Sequence, residues 1–148
     1  MNQEWVTYPD YVNRKGWDTF LGTSKEAYIR RGEKYLDYQW QVVKATDYLA
    51  YERTGDRKIM ENPFGTNNSA VAALLMAELA EGKGRFVDQL VNGVFFPCEM
   101  SSWANSAHVV LQRSNRALPS YDNPVFDLSV GGIGNMLSWT YYFFEGLF

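Results

Sequence analysis

Rare residues collect in one stretch, Cys98-Glu99-Met100-Ser101-Ser102-Trp103-Ala104-Asn105-Ser106-Ala107-His108. It holds the only cysteine and the only histidine of the chain, with a carboxylate and an indole between them. Three chemistries use such residues. A Cys98/His108 pair could act as a thiolate nucleophile with its base, although cysteine nucleophiles need positioned partners that spacing does not reveal. Metal binding is not supported, because one Cys and one His with Glu99 between them do not make a ligand set. The third is a polar cleft: Glu99, Trp103 and His108, with Arg113 and Arg116 following, would offer a flat indole to a sugar ring and guanidinium groups to a carboxylate, so an anionic sugar is the natural guest. Against this stands a plainer reading in which Glu99 and His108 cap helix ends and Trp103 is core.

The elements that must position these residues read as helices. Tyr11, Val12, Trp17, Phe20 and Leu21 form a short amphipathic segment, with Pro9 in its first turn and Gly22 as its stop. Thr23-Ser24 then caps a long helix in which Tyr28, Tyr35, Val42 and Leu49 recur every seven residues, running to Thr54-Gly55. The polar stretch 56–66, with Pro63 and Gly65, reads as a connection. Asn67, Asn68 and Ser69 supply caps for an Ala-rich helix reaching Glu81, whose small side chains let a neighbouring helix approach closely. Gly82-Lys83-Gly84 is a tight turn. Phe86 to Phe95 forms another helix, ended by Pro97, and the short loop between the two makes a helical hairpin of antiparallel neighbours. After a loop through Asn123-Pro124, the segment from Met136 to Phe144 is a helix apolar nearly all round, which other helices must cover.

Composition removes several function classes. A net charge of −3 without a Lys/Arg-rich run excludes a nucleic-acid footprint. No apolar run reaches the roughly twenty residues needed to span a bilayer, and the N-terminus, with Glu4 and Asp10, lacks the pattern of an export signal. Gly132-Ile133-Gly134 is not a dinucleotide loop, since Leu137 fills the third glycine position and no βαβ pattern surrounds it. A chain of 148 residues can bury roughly two-thirds of its unfolded surface, so a core forms without staples. Five Trp and ten Tyr exceed what a helical core needs for packing and suit either a carbohydrate-facing surface or a large aromatic core.

Cys98-Glu99-x-Ser101-x-Trp103 running into Ala107-His108, preceded by Leu79-Ala80-Glu81-Gly82-Lys83-Gly84-Arg85-Phe86, resembles the N-terminal helical region of heparinase II/III-type polysaccharide lyases. Ala45-Thr46-x-Tyr48-Leu49, Arg53-Thr54-Gly55-x-Arg57, Gln112-Arg113 and Leu137-Ser138-Trp139 extend the resemblance over nearly the whole chain. It implies an all-α fold of antiparallel helical hairpins forming part of an incomplete (α/α) toroid. In full-length members a β-sandwich region follows, and the location is periplasmic or secreted. It further implies β-elimination on uronic-acid-containing glycans, heparin- or heparan-sulfate-like or related, with no cofactor. In that chemistry an Asn, Glu or His neutralises the uronate carboxylate, a His or Tyr removes the C5 proton, and a Tyr protonates the leaving oxygen.

Most of that set is expected further along the toroid. Residues 1–148 therefore read as a single helical domain, the N-terminal piece of a larger protein and inactive by itself, with Glu99, Trp103, His108 and Arg113 facing substrate and His108 as the one catalytic candidate. Ending at Leu147-Phe148 without a polar tail, the C-terminal aromatic helix is expected to lack its covering partners, expose Trp139, Tyr142, Phe143 and Phe144, and drive self-association.

Overall fold

The computed structural model describes residues 7–147, so the readings placed on Met1, Glu4 and Phe148 lie outside it. The described residues are all helix, turn and loop, without a β-strand. Seven α-helices follow in order: α1 (Arg14–Leu21), α2 (Lys25–Glu33), α3 (Ala45–Thr54), α4 (Lys58–Glu81), α5 (Val87–Cys98), α6 (Ser106–Val109) and α7 (Leu128–Phe144).

The first helix begins later than its apolar pattern implies. Pro9, Tyr11 and Val12 precede it, and the Asn13 side chain caps it by accepting from the Gly16 N–H at 2.9 Å. A larger departure follows. The heptad pattern predicts one helix from residue 24 to 54, yet the chain leaves the helix after Glu33 and runs irregularly to Lys44. Distant amides hold it there. Asn67 Oδ1 accepts from the Gln41 N–H at 3.0 Å, Asn67 Nδ2 donates to the Gln41 carbonyl at 2.8 Å, and Gln89 Nε2 donates to the Leu36 carbonyl at 2.9 Å. Backbone groups of this segment thus find partners on α4 and α5 instead of in a helix of their own. Gly55, at φ 76°, ends α3 in the left-handed cap conformation its sequence calls for.

Stretch 56–66 is likewise not a connection. From Lys58 it forms the first half of the 24-residue α4, and Asn67 is a buried residue inside that helix rather than its cap. Pro63 removes one helical hydrogen bond, a cost of about 3 kcal/mol for a helix interior. Burial of Met60 and Phe64 on either side of it offsets this, at roughly 2 kcal/mol or more each.

Helix α4 is the spine, touching α1, α2, α3, α5 and α7. Its C-terminal half packs Val71, Leu74, Ala77 and Leu79 against Trp17, Ile29, Phe86 and Leu90. The small residues do let a neighbour in closely: at Gly32 of α2 a Cβ would lie 2.2 Å from the Ala77 Cβ. The N-terminal half carries a second cluster, in which Met60 and Phe64 meet Tyr48, Ala104, Val109 and Ile133. The aromatic end of α7 is covered more than expected. Phe144 is fully buried, and Trp139 and Phe143 pack partly buried against Tyr8 and Trp17, leaving Tyr141 and Tyr142 exposed.

Candidate functional site

The second cluster is the floor on which the Cys98 to His108 stretch is laid. Helix α5 runs one residue past Pro97 and stops at Cys98, an exposed free thiol. Glu99 closes the helix with its N–H on the Phe95 carbonyl at 3.2 Å. The chain then folds back: Trp103 Nε1 donates to the Pro97 carbonyl at 2.7 Å, and the Tyr48 hydroxyl lies 3.3 Å from the carbonyls of both Ser102 and Ala104. Burial of Tyr48, and then the charge of Asp127, push its phenol to about 12, so it remains a neutral hydrogen-bond donor.

His108 sits on the single turn of α6, and its Nδ1 lies 2.6 Å from Asp127 Oδ2. Asp127 is the N-cap of α7. Its Oδ1 accepts from the N–H groups of Ser129 at 2.9 Å and Val130 at 3.1 Å, while Oδ2 also accepts the Asn105 N–H at 2.9 Å. The Ser129 hydroxyl sits between Asp127 Oδ1 and the Trp103 carbonyl. One carboxylate therefore joins the start of α6 to the start of α7. Burial alone would push its pKa up, but the bonds from Ser129, His108, Asn105 and Val130 prevail and bring it to about 2, keeping it ionised.

That arrangement has a chemical consequence. With Nδ1–H donated to a fixed carboxylate, the other ring nitrogen of a neutral His108 carries the lone pair and is the one that can accept a proton. The His108 side chain is 36% exposed while that of Asp127 is only 7% exposed, so the base can be reached and its orienting partner is shielded.

No protein-family model and no curated protein matches this chain.

The other predicted residues are not gathered around His108. Glu99 lines a separate cleft with Lys44, Tyr48 and Phe95. Trp103 is partly buried in the second cluster, with its N–H taken by a backbone carbonyl, so it acts as a brace for the stretch. Arg113 is exposed in the turn after α6, and Arg116 pairs with Glu52 of α3 at 3.2 Å. Cys98 makes no hydrogen bond to His108 among the described residues, and no group of three His, Cys, Asp or Glu side chains among them could hold a metal ion. No helix among them is long and apolar enough to cross a membrane.

Asp127 is the residue that spacing missed. Its signal was present as an N-cap residue, Asp127-Leu128-Ser129-Val130, opening an apolar helix. Gln112 carries no signal of its own in the sequence beyond standing next to Arg113. It is buried, donating to the Arg116 and Leu118 carbonyls at 2.6 Å each and accepting the Ser120 N–H at 3.0 Å, and so it shapes the loop behind the site.

Proposed function

We propose that this chain forms one wall of the catalytic cleft of a polysaccharide lyase that cleaves uronic-acid-containing glycans by β-elimination, and that His108 is its proton-transfer residue. The observation that carries the reading is the His108–Asp127 pair: a reachable imidazole whose tautomer is held by a shielded carboxylate. The resemblance of the stretch around it to heparinase II/III-type lyases supplies the reaction class, and with it a toroid of helical hairpins and a periplasmic or secreted location.

The chemistry suits an imidazole. Removing the proton from C5 of a uronate leaves an electron pair that forms the C4–C5 double bond as the C4–O4 bond breaks, and the departing oxygen takes up a proton. No electrons are gained or lost overall, so no redox cofactor is required. Neutralising the uronate carboxylate is what makes C5 acidic enough, and that task falls to groups beyond His108. With a single histidine, and without a second proton-transfer group placed beside it among the described residues, this stretch alone is inactive in our reading and the longer protein is active.

The test follows the ultraviolet absorbance of the unsaturated product on heparan-type and other uronate glycans. Both this chain and a version extended downstream are assayed. The extended protein should produce it, and H108A should lower the rate by about a hundredfold or more, the usual share of a general base. Activity of this chain alone would remove the claim that the set is completed elsewhere. Absence of product from the extended protein on every uronate glycan would remove the lyase reading. The Asp127 contact also joins two helix starts, which favours a second reading as a non-catalytic glycan-binding or structural helical domain. In that case H108A would lower the melting temperature and leave product formation unchanged.

A further inference from the structure

Between the start of α3 and the end of α5 lies a cleft of about 530 Å³ that the proton-transfer step does not use. Its walls are mostly apolar, with the rings of Tyr48, Phe95 and Phe96 and the side chain of Val43 among them. Phe95 is 63% exposed, so a ligand that covers its ring removes apolar surface from water. Only two charged side chains line it, Lys44 and Glu99, and neither forms an ion pair among the described residues. The backbone at both positions is fixed by local structure. The Lys44 N–H is held by Asp47 Oδ2 at 2.8 Å as the cap of α3, and the Glu99 N–H closes α5. A concave apolar site of this size with a few convergent polar groups is the usual form of a small-ligand site.

We propose that this cleft is a binding subsite for one uronic-acid unit of an acidic glycan, with the C–H face of the sugar on Phe95, its carboxylate on the Lys44 ammonium and a hydroxyl donated to Glu99. The proposal rests on the lyase reading for its substrate class and deepens it, giving Glu99 a role apart from His108. One cation and one acceptor across an aromatic wall select a ligand with a single anionic group and hydroxyl donors. A purely aliphatic ligand would leave both charges unanswered. Tyr48 couples the cleft to the proton-transfer residue, since its ring lines the cleft and its hydroxyl meets the Ser102 and Ala104 carbonyls ahead of α6.

The experiment measures binding by calorimetry, using an unsulfated uronate-containing tetrasaccharide and the same oligosaccharide with its carboxylates reduced to alcohols. Wild type, K44A, E99Q and F95A are compared, with circular dichroism confirming that these exposed positions leave the helices intact. Wild type should prefer the uronate form. K44A should lose at least about fivefold in affinity for it and lose that preference, whereas F95A should weaken both ligands and E99Q both to a smaller degree. Unchanged affinity in K44A and F95A, or no binding of either oligosaccharide to wild type, overturns the subsite. The two readings fail separately. Binding that the variants abolish, with no unsaturated product from any form, leaves the subsite standing and removes the lyase. Product formation with KM unchanged in K44A and F95A does the reverse.

Discussion

At Asp127 one carboxylate receives hydrogen bonds from the starts of two helices and from an imidazole, and its charge is what those donors answer to. Its folded pKa of about 2 lies below the ordinary 3.8. A carboxylate that titrates lower when folded stabilises the protein above its unfolded pKa and loses that contribution as pH falls through the folded value. Here the contribution is full above about pH 4 and disappears toward pH 2, and its size is about 2 kcal/mol. D127N keeps the shape of the side chain and removes the charge, leaving an amide N–H₂ facing donors. At pH 7 it should lower the urea-unfolding free energy by about 2 kcal/mol, and its stability should fall less steeply than that of wild type between pH 4 and pH 2. Parallel curves for the two proteins would show that the charge at this position does not stabilise the fold.

At the scale of elements, the contact between α2 and α4 sets two effects of opposite sign against each other. On helix propensity alone, Ala in place of Gly32 should stabilise by about 1 kcal/mol. The new Cβ, however, would lie 2.2 Å from the Ala77 Cβ and 3.2 Å from Phe86 Cε1, and a Cβ moves only if its backbone does. Overpacking of this kind costs about 1–3 kcal/mol and should prevail. G32A should therefore lower the melting temperature, and adding A77G should restore part of it by removing the atom that clashes. A stabilised G32A would mean that α2 and α4 can separate at little cost.

The same elements show what could be read in advance. The helical class, α5, the cap at Gly55 and the end of α4 at Glu81 were legible because each depends on residues adjacent in sequence. The break after Glu33 was not. The partners that hold residues 36–41 out of a helix are Asn67 and Gln89, amides far along the chain that look like surface polar residues or caps in the sequence. Residues Tyr35 and Val42 kept the heptad spacing without sharing a helix face: Tyr35 packs partly buried against the first core cluster from the turn after α2, whereas Val42 is 70% exposed. The site divides in the same way. His108 stood out because it is the one histidine, but its partner Asp127 belongs to the next helix, and the pairing depends on how α6 and α7 start side by side.

Over the whole molecule, apolar surface and charge decide whether copies of the chain stay apart. A net charge of −3 over 148 residues is a weak repulsion, readily screened at physiological salt. The aromatic end of α7 contributes less exposed surface than its sequence implied, because Tyr8 and Trp17 cover Trp139 and Phe143. Larger exposure lies at its beginning, where Phe126 is 81% and Leu128 93% exposed, with Tyr121 also open. At about 25 cal/mol per Å² removed from water, pairing such side chains between two copies favours association. The weight-average mass in sedimentation should therefore rise with concentration, and F126S combined with L128S should return the chain to a monomer. Both substitutions lie at exposed positions outside the two core clusters, so loss of association would report the surface and not unfolding. If Y142S dissociates the assembly and the first pair does not, the contact is seated on the C-terminal aromatic face instead. A wild-type chain that stays monomeric at every concentration would mean that its net repulsion exceeds what these side chains gain by pairing.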